Sequence, residues 1–231
     1  MRVLVAILVV IALLVAGLVV ADRVAENLAA NLIAQQVRTQ LHLAQRPHVN
    51  IAGFPFLTQV ASGDYQEIDL SIPSVTALAA TVDDVAATAR GVHARPFLGS
   101  AAGVRSASAS RVDLSGRIPL SSIPLPPGFT ATASGSKLRV SGSVSALGLS
   151  VPVTATEQIA LNGSTISFRP TDIQARAGGS KLDVSGTAAK QLTVSVDLSG
   201  LPFHVRVTRL TVRPSGVGLE GRASNVSLAG A

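Results

Sequence analysis

Arg206, Arg209, Arg213 and Arg222 crowd one C-terminal stretch, with Glu220 the sole carboxylate among them. A guanidinium favours planar, two-point contact with phosphate or carboxylate oxygens, so such a cluster suits an anionic group. It equally suits a solvated strand face. If the partner is an anionic lipid surface, each basic side chain near it is worth about 1 kcal/mol. Nucleic acid fits poorly: the chain has 6 Phe, 1 Tyr and 0 Trp, scattered, and so lacks stacking platforms. The other chemistry-bearing patterns lead nowhere. Gly216-Val217-Gly218-Leu219-Glu220-Gly221 has the GxGxxG spacing, but it follows Pro214 inside a strand-like alternation with no helix after it. A dinucleotide fingerprint needs strand, turn and helix in that order. No GxSxG nucleophile elbow occurs. His42, His48, His93 and His204 are dispersed and there are 0 Cys, so no zinc spacing and no disulfide framework exists. Asp83 and Asp84 are adjacent, which on a strand points them to opposite faces and predicts solvated carboxylates rather than a shared site. Asn162-Gly163-Ser164 and Asn225-Val226-Ser227 are formal glycosylation sequons.

The elements that must position any site divide at His48–Ile72. Before it the pattern is helical; after it the pattern is strand. This stretch holds Phe54, Phe56 and Tyr65. Gly53 and Pro55 break a helix around Phe54, which predicts a turn or strand entry over Gly53–Leu57 that presents bulky apolar side chains at fixed angles. Beyond it Tyr65, Glu67 and Asp69 alternate with Gln66, Ile68 and Leu70, a strand period.

Upstream, Val3–Ala21 carries no charge and no polar face. As a helix it is about 28 Å long, near the thickness of a bilayer's hydrocarbon core. Arg2 precedes it, and Asp22, Arg23 and Glu26 follow, so the positive-inside rule puts the N-terminus in the cytoplasm and the body outside. Two fates stay open: an uncleaved anchor, or a signal peptide cut after Val19-Val20-Ala21. Asp22–Ala44 continues as an amphipathic helix. Val24, Leu28 and Leu32 are spaced by four, as are Ile33, Val37 and Leu41. The stripe is expected to pack on the body and also to suit a lipid groove. Pro47 should end the helix at or before Arg46.

Downstream, the composition is hydrophobic (47%) but poor in charge (14%), with 20 Gly. That is unsuited to helix surfaces and suited to a sheet with many turns. The net charge of +6 comes largely from arginine, 16 against 3 lysines. Strands are expected at Val104–Leu114, Lys137–Val144, Leu149–Ala155, Thr165–Phe168, Lys181–Ser185, Leu192–Leu198, His204–Val212 and Val217–Ala223. Alternation such as Leu149, Val151, Val153 and Ala155 against Ser150, Pro152, Thr154 and Thr156 predicts antiparallel pairing with one wet face. Thr76–Ala89 reads either as a short helix or as a strand pair. Ser121–Phe129, rich in Pro, reads as a loop. Gly135–Gly142 is echoed by Gly179–Gly186, and Val112–Gly116 by Val196–Gly200, either by chance vocabulary or through similar hairpins. The spacing is too irregular for a solenoid.

The layout is similar to a known family. The apolar start, the amphipathic helix, Gly53-Phe54-Pro55-Phe56-Leu57 followed by Gly63, Tyr65 and Ile68, and the Val/Ser/Gly-rich body resemble the actinobacterial LmeA-like family over roughly residues 20–230. The resemblance implies a cell-envelope phospholipid-binding protein. One member of the family is linked to mannan elongation in lipomannan synthesis. It also implies an α+β fold: an N-terminal membrane segment and a long helix packed on a curled, mostly antiparallel sheet, as in tubular lipid-binding proteins. The expected organisation is a segment 1–21 and a single domain 22–231. The expected partners are a phospholipid, anionic in character, the outer face of the cytoplasmic membrane and an envelope glycosyltransferase pathway. No nucleic acid, cofactor, metal or enzymatic activity is expected. Leu28, Leu32, Ile33, Val37, Leu41, Phe54, Phe56 and Leu57 would border the acyl groove, and Arg206, Arg209 and Arg213 would hold the headgroup. Two rivals remain: an envelope scaffold that uses the β body for protein contacts, and a lipid-modifying enzyme, whose nucleophile–base pair is not found.

Overall fold

The computed structural model describes residues 2–77, 80–94, 107–123, 125–146, 149–163, 165–177, 180–181, 185–197 and 205–227. Helix α1 runs unbroken over Arg2–Gln40. The apolar run and the amphipathic segment are therefore one helix, because no proline interrupts them and Gly17 has open space around it. Its N-terminal half is long and apolar enough to cross a membrane. The helix stops before Pro47, as expected, with His42 in the left-handed region (φ 50°) and the Leu43 N–H donating to the Arg38 carbonyl at 3.0 Å.

Next come β1 (His48–Ala52), α2 (Phe56–Ser62), β2 (Asp64–Ala77), β3 (Ala80–His93) and β4 (Ser108–Ile118). The short helix α2 was not expected from sequence. The described residues of Thr76–Ala89 fall on β2 and β3 rather than on a helix. A 3-10 turn, Leu120–Ser122, opens the Pro-rich loop. Then follow β5 (Thr130–Ser134), β6 (Lys137–Ala146), β7 (Leu149–Asn162), β8 (Thr165–Ala177), β9 (Ser180–Lys181), α3 (Ser185–Leu192), β10 (Val194–Asp197), β11 (Arg206–Arg213) and β12 (Gly216–Ser227). The fold is α+β, with two antiparallel sheets. One has the order β1-β2-β3-β4-β12-β11, the other β10-β8-β7-β6-β5 with β9 beside β8. Of the strand expected at Lys181–Ser185, the described residues are Lys181, in the two-residue β9, and Ser185, which opens α3. β9 pairs antiparallel with β8, Ala177 opposite Ser180, as β5 pairs with β6 at the first copy of the echo, Ser134 opposite Lys137. Leu192 closes α3 rather than opening a strand. Val104–Ser106, Leu182–Val184, Leu198–Gly200, His204 and Ser164 of one sequon lie outside the described residues.

The chain divides into two compact units. One comprises Met1–Ile72, Ala87–Val112 and Ser224–Ala231, the other Pro73–Ala86 and Asp113–Ala223. In the first, α1 packs on β1 and α2. Its buried side chains include Ala29, Ala34, Val49, Ile51, Phe56, Tyr65 and Val92. In the second, Leu138, Val140, Ala155, Ile166, Phe168, Leu192 and Val217 form one core. Fully burying each larger aliphatic or aromatic side chain is worth about 1.5–3 kcal/mol. The β6–β7 register places Val140 opposite Ala155 and Val144 opposite Val151, so the alternation read from sequence points inward as expected. Asp84 is solvated as expected, but the opposite-face reading of Asp83 and Asp84 is corrected. Asp84 adopts a left-handed φ of 52°, which breaks the strict up-down alternation, and both carboxylates reach Arg117, at 3.9 and 2.6 Å. The hydrogen bond to Asp84 pushes the Arg117 guanidinium pKa above its ordinary value.

Candidate functional site

The corner between α1 and α2 is held by two polar side chains, Asp22 and Gln59. Pro55 precedes α2 and offers its helix no side-chain cap. The first N–H groups of a helix need acceptors. Asp22 supplies them from α1: its carboxylate accepts from the Phe56 N–H at 3.0 Å and the Leu57 N–H at 2.8 Å. Asp22 is buried, and its negative charge also complements the positive end of the α2 dipole. Gln59 then ties two strands to the corner. Its Nε2 donates to the Ala52 carbonyl at 3.2 Å, and its Oε1 accepts from the Gln66 N–H at 3.0 Å. Gly63 closes α2 in the left-handed conformation and donates to the Gln59 carbonyl at 2.8 Å. Gly53 must be glycine: its φ is 107°, and a Cβ there would lie 2.7 Å from the Gln59 amide nitrogen.

This frame separates the two phenylalanines. Phe56 is 0% exposed and lies against Tyr65, ring centroids 6.2 Å apart. Burial pushes the Tyr65 hydroxyl up to about 12. Phe54 is 56% exposed, and the Arg23 guanidinium lies over its ring, 5.2 Å from the centroid. Arg23 also pairs with Glu26 at 2.6 Å. Leu57 is exposed beside them.

Helix α1 also exposes large apolar side chains. Its buried positions are Asp22, Ala29 and Ala34, with Ala25, Glu26, Ala30, Ile33 and Val37 half-buried. Val24, Leu28 and Leu32, spaced by four, face outward, with Leu28 60% and Leu32 55% exposed. The helix thus packs most closely through Ala29 and Ala34 and leaves Val24, Leu28 and Leu32 uncovered, unlike the usual soluble helix, whose large apolar residues face the core. Leu41, just past the helix, is exposed, and its N–H donates to the Val37 carbonyl. Of the candidates read from sequence, Phe54 meets α1 at Arg23 and Leu57 at Asp22, while Leu28 and Leu32 are exposed further along the helix. Ile33 and Val37 sit on its flank, and Phe56 is in the core.

Arg206, Arg209 and Arg213 lie on β11, in the second unit. All three are exposed. Arg209 is 3.6 Å from Glu220 across the β11–β12 pair. Arg222 on β12 donates to Asp113 at 2.8 Å. Among the described residues, Arg206 and Arg213 have no carboxylate within ion-pair distance. Sequence reasoning missed Glu157. It sits on β7 between Leu138 of β6 and Pro170 of β8, 3% exposed, and neither carboxylate oxygen has a hydrogen-bond partner. Burial pushes its carboxyl from 4.5 up to about 7. No group of residues able to hold a metal occurs among the described residues.

A family model described as LmeA-like phospholipid-binding matches residues 20–222. Neither the curated proteins nor the solved structures give a match. The chain belongs to the LmeA-like phospholipid-binding family.

Proposed function

We propose that this member of a phospholipid-binding family is a non-enzymatic cell-envelope protein that takes phospholipid acyl chains onto the exposed apolar side of α1. Leu28, Leu32 and Leu41, flanked by Ile33 and Val37 and joined at the corner by Phe54 and Leu57, are the acyl contacts. Phe56 supports them from the core. The observation that carries this reading is the uncovered stripe Val24–Leu28–Leu32, which continues directly from the membrane-length apolar run of the same helix. Its physical logic is a matter of magnitude. Burying acyl methylenes is worth about 0.8 kcal/mol each, so a sixteen-carbon chain is worth roughly 12 kcal/mol. A lipid leaves a bilayer only for a surface that replaces most of that.

Arg206 and Arg213, exposed and without carboxylate partners among the described residues, are the proposed contacts for an anionic headgroup, with Arg209 shared with Glu220. The body lies on the outer side of the cytoplasmic membrane, held by residues 3–21 or released after Ala21. There it would serve envelope lipid and lipoglycan biogenesis alongside a glycosyltransferase pathway.

The double substitution Leu28→Asp, Leu32→Asp tests the assignment. Both side chains are exposed, so the fold and melting temperature should hold within a few degrees. Phospholipid extracted from the purified protein should fall at least tenfold. Unchanged lipid content in a folded double variant would remove the stripe from the site.

A further inference from the structure

We infer that the α1–α2 corner is seated in the outer boundary of the bilayer, with Phe54 and Leu57 inserted at the junction of headgroups and acyl chains. This rests on the proposed phospholipid binding and on residues 3–21 remaining as a membrane span. It adds a place and a depth: the acyl-binding stripe begins inside the leaflet, so a lipid can pass onto α1 without crossing water.

The depth follows from the helix. Val3–Ala21 as a helix spans about 28 Å, and the hydrocarbon core is about 30 Å thick. Asp22 and Arg23 therefore stand where hydrocarbon gives way to headgroups. α1 does not break there, so its axis carries the boundary directly to the corner. Asp22 then fixes α2 at that level, since its carboxylate is within 3.0 Å of both the Phe56 and Leu57 N–H groups. A buried carboxylate with two N–H donors is also a form of Asp that tolerates this position, because its charge is satisfied inside the protein rather than presented to lipid. Arg23 lies over Phe54, and its long side chain can keep its charge at the headgroups while its stem and the ring lie deeper.

The exposed side chains agree with that depth. Val24, Phe54 and Leu57 all lie within one helical turn or one direct contact of Asp22 or Arg23, and each is exposed. Aromatic rings are favoured at this boundary. Leu28 lies about 10 Å beyond Ala21 along the axis and Leu32 about 16 Å, so the stripe climbs out of the leaflet. Two other occupants are conceivable, a second copy of the chain and a soluble protein. Neither accounts for an exposed apolar surface that begins where the apolar span ends.

The chain contains 0 Trp, so Phe54→Trp gives a single fluorescent reporter that keeps an aromatic ring at an exposed site. The full chain carrying it is reconstituted in vesicles of phosphatidylcholine and phosphatidylglycerol. Quenching by lipids brominated on the acyl chain is compared with quenching by aqueous iodide. A second variant, Gln40→Trp, places the reporter at the far end of α1 and is the reference. For Phe54→Trp the expected result is blue-shifted emission, strong bromolipid quenching and at least fivefold lower iodide accessibility than for Gln40→Trp. Equal iodide quenching of the two variants would overturn the inference. So would protection of the corner reporter from both quenchers, which would mean that protein covers the corner. Bromolipid quenching of the reference variant would also overturn it, because α1 would then lie along the surface. Phospholipid bound to detergent-free protein is measured in parallel. Its presence with a water-exposed corner reporter defeats only the seating, and its absence with a lipid-seated one defeats only the lipid binding.

Discussion

Glu157 is the residue at which physical cost is most concentrated. It occupies an inward position of β7 among apolar neighbours, without a hydrogen-bond partner. An unpaired buried charge is far more costly than a neutral acid, so folding favours the protonated form. Its carboxyl titrates near 4.5 in an unfolded chain and near 7 in the fold. The folded state therefore holds the proton more tightly. The associated stability is complete below about pH 4.5 and is lost as pH rises through about 7. At pH 8 the loss is on the order of 3 kcal/mol, from about 1.4 kcal/mol for each pH unit between the two values. Glu157→Leu should flatten the fall in denaturation midpoint between pH 5 and pH 8 and raise the midpoint at pH 8. A variant with the wild-type pH profile would mean that Glu157 is solvated or paired in solution. The inward parity of Val151, Val153 and Ala155 already pointed to residue 157 as the next buried position. The expected strand stopped at Ala155, so that signal was missed. Asp22 is different. Its partners lie 34 and 35 residues away, so no local pattern could identify it. Asp22→Ala should leave two N–H groups at the start of α2 unsatisfied and cost about 1–3 kcal/mol. Asp22→Asn keeps one acceptor and should cost less. Thermal melting of the two variants checks the order.

At the scale of elements, periodicity was readable wherever a strand has one dry face. Lys137–Val144, Leu149–Ala155 and Val217–Ala223 all lie on strands, as expected, because alternation is imposed by the pleat itself. It failed where tertiary contacts choose the structure. α2 depends on Asp22 for its N-terminal cap, and its proline and glycine neighbours mimic a turn. Ser185–Leu192 shares its opening sequence with a strand but folds as α3 and buries Leu192. The direction of the α1 stripe was also beyond sequence. Periodicity identified apolar positions, but Ala29 and Ala34 pack inward because small side chains allow close approach. The β11–β12 turn gives a test at this scale. Gly216 has φ 144°, and a Cβ there would collide with the Ile118 carbonyl. Gly216→Ala should cost about 1–3 kcal/mol through strain alone, and more through the clash. Equal unfolding midpoints for variant and wild type would mean that the turn relaxes freely.

For the whole molecule, the separation of an apolar helical arm from a β body was legible because hydropathy and strand period change sharply at His48–Ile72. The division into two units was not, because Pro73–Ala86 and Asp113–Ala223 come together only in the folded chain. The family match over residues 20–222 supports phospholipid binding, and the uncovered side of α1 offers apolar surface for it. The central claim is that the folded protein carries phospholipid. The most direct measurement is native mass spectrometry, followed by lipid extraction, on the chain from residue 20 onward, purified without detergent from a phospholipid-containing host. A stoichiometric adduct of phospholipid mass is the predicted result. A bare protein mass that persists after incubation with anionic vesicles would contradict it and leave an envelope scaffold as the better reading.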